Sequence, residues 1–111
     1  MNTSYYSKSA THPNAVSIAG KAPEWYKGRE YKTLAPKYWF FAKYKEDHDE
    51  DFYVDAYYEE VLSKLDPKTV YDELGEDAVI MCWESSEKFC HRHIVADWLE
   101  QQLGIKIKEI S

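Results

Sequence analysis

The feature that most constrains this chain is the apolar run Ala78–Trp83, AVIMCW, set between two stretches of helical periodicity. A strand that is apolar at consecutive positions has to be covered on both faces, as in parallel sheets flanked by helices. Upstream, Val54, Tyr57, Tyr58, Val61, Leu62 and Leu65 recur at the spacing of one helical stripe. That is the pattern of an amphipathic helix, with Asp47 or Asp49 available to cap it and acids crowding its first turn. Asp66-Pro67 is a second cap with proline at the first helical position, and Gly75 is a stop, which predicts a short helix through Lys68–Leu74. Downstream, Ser86 is a candidate cap for a helix carrying Ile94, Val95, Trp98, Leu99 and Leu103, closed by Gly104. Ile105–Lys108 alternates and suits an edge strand with its lysines outward.

Asn14–Gly20, NAVSIAG, reads as a further strand entering a loop. Lys21–Lys45 has no clean period, contains Pro23, Gly28 and Pro36, and reads as a long loop dense in aromatic rings. The alternation of strands and helices predicts an α/β fold: a small parallel-sheet, Rossmann-like three-layer domain, reduced in size, with right-handed crossovers. The 111 residues suit one domain, and 44% hydrophobic residues are too many for a disordered chain. The polar, non-periodic residues 1–13 read as an N-terminal tail, and 14–111 as the domain. No apolar run approaches the ~18 residues of a membrane span, and the start MNTSYYSKSATH lacks a signal-peptide core. The expectation is a soluble cytoplasmic protein with no membrane partner.

The net charge of −6 is unevenly spread. Residues 1–44 hold seven cations (Lys8, Lys21, Lys27, Arg29, Lys32, Lys37 and Lys43) against Glu24 and Glu30, while the rest holds seven cations against eighteen acids. Such asymmetry either pairs across one fold or marks an anion-facing surface. Broad binding to duplexes is not expected from an acidic chain, because that binding needs clustered cations to release counterions. A local site for a small anionic ligand or a nucleic-acid end is compatible with it.

The chemistry-bearing residues concentrate at the end of the central strand. Ligands of open parallel sheets sit beyond the carboxyl ends of the strands, where Cys82 and Glu84 fall. A helix starting near Glu87 would offer its first-turn N–H groups to an anion. Arg92 has the planar fork that grips phosphate or carboxylate, His91 can act as general acid or base near neutral pH, and Cys90 sits where a thiol is activated. Each residue also has a structural role open to it. His91 fits equally as a core histidine bonded to backbone, Cys82 and Cys90 as small buried hydrophobes, and Arg92 as the partner of Glu87 or Glu100. Glu84, at the end of an apolar strand, needs a partner such as Arg92 or His91, and His93 pairs with Asp97 along an exposed helix face. The two cysteines, eight positions apart, can bridge only if their Cα atoms come within about 7 Å, and a cytosolic setting keeps thiols reduced. No metal is expected, because adjacent residues such as Cys90 and His91 diverge on a helix and zinc ligands are usually spaced by two to five residues.

The stretch 78–99, AVIMCWESSEKFCHRHIVADWL, closely resembles the DUF488 family (domain of unknown function 488). The family pattern is an apolar strand ending Cys-x-Glu, a short turn, and Cys-His-Arg opening an amphipathic helix, here Cys82, Glu84, Cys90, His91 and Arg92. Residues 14–45, NAVSIAGKAPEWYKGREYKTLAPKYWFFAKYK, are similar to the first strand and following loop of its short members. The resemblance implies a small Rossmann-like α/β fold over 14–111 and brings with it no settled reaction and no cofactor.

In that loop, Trp25, Tyr26, Lys27, Arg29, Tyr31 and Lys32, then Lys37, Tyr38, Trp39, Phe40 and Lys43, interleave rings with cations, as single-strand and nucleotide binders do. The alternative is a lid of rings that finishes a small core. The function expected is anion binding, of a nucleotide or nucleic-acid end, with Glu84, Cys90, His91 and Arg92 as the floor and Lys21, Trp25, Tyr26, Lys27 and Arg29 as the lid. If the domain is catalytic, the Cys-His-Arg motif carries it, with His91 as acid/base, Arg92 as clamp and Glu84 as orienter or base. The alternative is a non-catalytic interaction module using the acidic face Glu46, Asp47, Asp49, Glu50, Asp51, Asp55, Glu59 and Glu60. Whether Glu84, His91 and Arg92 meet in an open cleft or are sealed in the core separates the two.

Overall fold

The fold is built around β4, Val79–Cys82, all four of whose residues are buried. The structure is a computed structural model and describes residues 1–85 and 88–110. β4 pairs in parallel with β1, Asn2–Tyr5, on one side and with β2, Ala15–Ser17, on the other. β3, Arg29–Glu30, lies beyond β2, and β5, Lys108–Glu109, lies beyond β1. The order β3-β2-β4-β1-β5, with every pair parallel, makes a small three-layer α/β domain.

Residues 1–13 are therefore not a tail. β1 lies beside β4, with Thr3 opposite Ile80 and Tyr5 opposite Cys82. Its composition hides it: NTSY carries no apolar alternation, and its buried polar groups are satisfied by bonds no sequence pattern announces. The Thr3 hydroxyl donates to Glu109 at 2.5 Å, and the Ser4 and Ser9 hydroxyls share a bond of 2.6 Å. A buried hydroxyl costs little once it is paired.

Alternation sorts the strand residues onto two faces. Val16, Ile18 and Ile80 enter the larger core beneath the main helices, whereas Ala15, Ala19, Val79 and Met81 face Tyr6, Ala10, Ala22 and Tyr26. The second face is covered by the single turn α1, Tyr6–Ser9, by the loop after β2 and by Ile110. On the first face lie α2 (Tyr38–Asp47), α3 (Glu50–Glu60), α4 (Pro67–Leu74) and α5 (His91–Leu103). The caps predicted for α3 and α4 hold: the Asp49 carboxylate accepts from Phe52 N, Asp66 accepts from Thr69 N, and Pro67 opens α4. The presumed loop Lys21–Lys45 instead contains β3, a 3₁₀ turn at Lys32–Leu34 and most of α2, whose Phe40 is buried against Tyr53 and Tyr57. Tyr57 anchors that turn by donating to the Leu34 carbonyl at 2.6 Å. Among the described residues, no helix is long and apolar enough to cross a membrane.

α5 ends at Gly104, whose φ of 66° lies in the left-handed region. A Cβ there meets nothing within 4 Å, so only the backbone resists substitution. Gly104→Ala is expected to lower stability by about 1–2 kcal/mol, with Gly104→Asn costing less. A urea titration of the two variants checks the order.

Candidate functional site

Cys82 closes β4 and turns toward α5, while Trp83, the next residue, emerges on the opposite face among Tyr6 and the β2 loop. α5 starts at His91, later than expected, and Cys90 is its N-cap in extended conformation (φ −156°, ψ 148°). Ser86 and Glu87, the expected cap and first turn, lie outside the described residues. The extended cap brings Cys90 back over the strand end, where its sulfur is bonded to that of Cys82 with the Cα atoms 7.0 Å apart. The pairing that spacing left open is thus made, in place of the reduced thiols expected.

His91 is buried, and its Nε2 lies 2.8 Å from the Ile18 carbonyl. A carbonyl only accepts, so Nε2 carries the proton and Nδ1 keeps its lone pair, 3.9 Å from Cys90 Sγ. Burial, opposed by the Ile18 bond and aided by the Arg92 charge, lowers the His91 pKa to about 4. The imidazole is neutral at pH 7, so the expected titration near neutrality does not occur.

Arg92 has no exposed surface. Its Nε donates to Glu109 Oε1 at 3.1 Å and its Nη2 to Oε2 at 2.9 Å, a two-pronged pair. Nη1 donates to the Glu84 carbonyl at 2.7 Å and contacts Cys82 Sγ at 3.2 Å, and the guanidinium carbon stands 5.9 Å from the Tyr5 ring centre. Partial burial pushes the Glu109 carboxyl up, but hydrogen bonds from Arg92 and Thr3 outweigh it, and its pKa falls below the ordinary value. Among the described residues, the carboxylate partner of Arg92 is therefore Glu109 rather than Glu84 or Glu100, and its fork is spent inside the protein rather than clamping an external anion. Glu84 contributes a backbone oxygen while the residue itself is exposed. His93 does not pair outward with Asp97: its Nε2 is buried and, among the described residues, unpartnered.

The lid residues divide. Trp25, Tyr26 and Trp83 set their rings edge-on around Tyr6, at centroid distances of 6.4, 5.5 and 5.2 Å. Trp83 Nε1 donates to the Lys21 carbonyl at 2.8 Å, tying the ends of β4 and β2 together. Trp25 and Trp83 remain 58% and 54% exposed, and Lys21 and Lys27 are exposed in the same loop. Arg29 departs from the expectation. Its Nη1 donates to Leu74 O at 2.8 Å and its Nη2 to Glu73 O, so it caps α4 toward the amino end of β4.

Two groupings result at the carboxyl ends of β2 and β4. One is a partly exposed platform of rings, Trp25, Tyr26 and Trp83 around the buried Tyr6, with Lys21 beside it, whereas Lys27, two residues before β3, lies toward the amino end of the sheet. The other is a sealed layer of Cys82, Cys90, His91, Arg92 and Glu109, joined to the platform through Cys82–Trp83 and Ile18–Lys21. Sequence reasoning missed Glu109, Tyr6 and Trp83. Alternation past Cys82 would have turned Trp83 to the other face, whereas nothing local marks Glu109. Among the described residues, Cys82, Cys90 and His91 form a cluster whose donor atoms could hold a metal ion.

A family model described as the active DUF488-N3 subclade, DUF488-N3a, matches residues 5–103. No curated protein and no solved structure matches the chain.

Proposed function

The chain belongs to the DUF488 family, and we propose that this member binds a nucleotide or nucleic-acid end on the ring-and-lysine platform at the carboxyl ends of β2 and β4. The observation that carries the reading is the gathering of two exposed indoles, Trp25 and Trp83, around the buried ring of Tyr6 at the strand ends. A soluble domain gains nothing from leaving large rings in water, whereas bases stack on such surfaces and lysines meet the phosphates. The acidity of the remainder limits the contact to a few nucleotides. In the reduced form, the Cys90 thiol can donate a hydrogen bond to the free Nδ1 of His91, 3.9 Å away. Arg92 and Glu109 position that pair and do not touch the ligand.

Titration of a mononucleotide panel and short single-stranded oligonucleotides, followed by quenching of tryptophan fluorescence, tests this reading. Trp25→Ala and Trp83→Ala are each expected to weaken binding by about 1–3 kcal/mol, and Lys21→Ala to flatten its salt dependence. Unchanged affinity in both tryptophan variants, or no binding by the parent, overturns it. The sealing of His91 and Arg92 favours a second reading, a protein-interaction module. Its surface would be the exposed acids of α2 and α3 beside a cavity of about 420 Å³ lined by Asp55, Tyr58, Glu59 and Trp98. Binding of a basic peptide that survives both tryptophan substitutions would select it.

A further inference from the structure

We propose that Cys82, Cys90 and His91, once the cysteine pair is in its dithiol form, are a site for one thiophilic divalent cation, with Zn²⁺ the best fit. The inference does not rest on the platform, since it can be tested with metal alone. Two thiolates and an imidazole are a borderline-soft donor set of the kind zinc takes. The three donor atoms lie within 4.8 Å of one another and all three residues are buried. Bond lengths of about 2.3 Å to sulfur and about 2.0 Å to nitrogen place the ligand atoms of a shared zinc roughly 3.5–3.8 Å apart, so small side-chain rotations suffice.

The objection from adjacency fails on the backbone. Cys90 is extended and only His91 is helical, so consecutive residues converge where two helical neighbours would diverge. The surroundings are also those of a metal ligand. His91 donates its Nε2 proton to the Ile18 carbonyl, fixing the tautomer and leaving Nδ1 facing the sulfurs, as metal-bound histidines commonly do. Charge balances as well. A divalent ion cancels two thiolates, while Arg92 is already neutralised by Glu109 and lends an N–H to Cys82 Sγ. Without the cation, two buried thiolates would share one hydrogen-bonded arginine, so the dithiol would remain protonated. Three protein ligands leave a fourth position for water or a ligand atom, the arrangement of catalytic zinc sites.

In the structure the sulfurs are bonded to each other. Opening that bond takes two electrons and two protons from a thiol reductant, which leaves as its own disulfide. Metal entry then forms two sulfur–metal bonds and releases the two thiol protons. The experiment uses the full chain, reduced with a phosphine under argon, freed of metal and titrated with Co²⁺ and then Zn²⁺. Expected are one equivalent of Co²⁺ with a thiolate-to-cobalt absorption band, displacement by Zn²⁺, and protection of both thiols from alkylation. Cys82→Ser, Cys90→Ser and His91→Gln should each weaken uptake at least about tenfold. Whether or not each variant folds, the alkylation of the parent chain with and without Zn²⁺ decides independently. A folded, fully reduced chain that takes up neither ion overturns the proposal. So does equal uptake by the oxidised chain, or alkylation that Zn²⁺ leaves unchanged.

Discussion

Arg92→Met is expected to destabilise the fold by about 3–5 kcal/mol, far more than its loss of packing would. The guanidinium is fully buried and makes two short bonds to Glu109, whose side chain is 19% exposed. Removing it strands a carboxylate at the rim of the core and also leaves the Glu84 carbonyl without its donor. Glu109→Leu strands the arginine instead, in a deeper position, and should cost at least as much. The double variant should cost clearly less than the two single losses together, because each half of the pair is harmful chiefly without the other. Urea denaturation of the four proteins at constant slope measures the coupling, and a single-variant loss below about 1 kcal/mol would refute the assignment. Acid gives the same pair a signature. Glu109 titrates below 4.5 in the native state, so its contribution is present above that value and fades as pH falls through the lowered pKa.

The outline of this fold was readable because its strongest signals are local. The apolar run of β4, the stripe of α3, the Asp66-Pro67 cap and the left-handed Gly104 each act within a few residues. β1 was unreadable because its burial is stabilised by partners far along the chain, Thr3 bonding Glu109 across 106 positions. The same distance explains the site. Cys90, His91 and Arg92 are contiguous and stood out, yet what each does is set from elsewhere: by Ile18 for His91, by Glu109 for Arg92 and by Cys82 for Cys90. Glu84 was expected to answer Arg92 with its carboxylate and answers with its backbone oxygen instead. Arg29 read as one more lid cation, because nothing in its neighbours says that α4 ends beside it. Motif and spacing thus brought Cys90, His91 and Arg92 into view, while long-range pairing sets what each of them touches.

Acidification from pH 6.5 to about 4 is expected to remove about 3 kcal/mol of stability through His91 alone. The imidazole has a native pKa of about 4 against 6.5 in the open chain, because burial penalises its charged form and Arg92 repels it. At 1.36 kcal/mol per pKa unit that difference gives the figure. A depressed native pKa means that the stabilisation is complete above 6.5 and is lost as pH falls toward 4. His93, also lowered by desolvation and by Arg92, adds in the same direction. His91→Gln retains a donor for the Ile18 carbonyl without a titrating ring. Its stability should therefore fall less steeply between pH 6.5 and 5, where His93 is the one of the two that still titrates, and decline further below that through Glu109. Urea midpoints at half-unit pH steps separate the two proteins, and NMR titration of the His91 ring gives the native pKa directly. A native pKa near 6.5 would mean that the ring is reached by water, and the sealed layer would then be open to ligand. A value near 4 instead leaves His91 neutral throughout the physiological range, with its Nδ1 lone pair free for a metal ion but too weak a base to take a thiol proton and unfit to act as a neutral-pH acid.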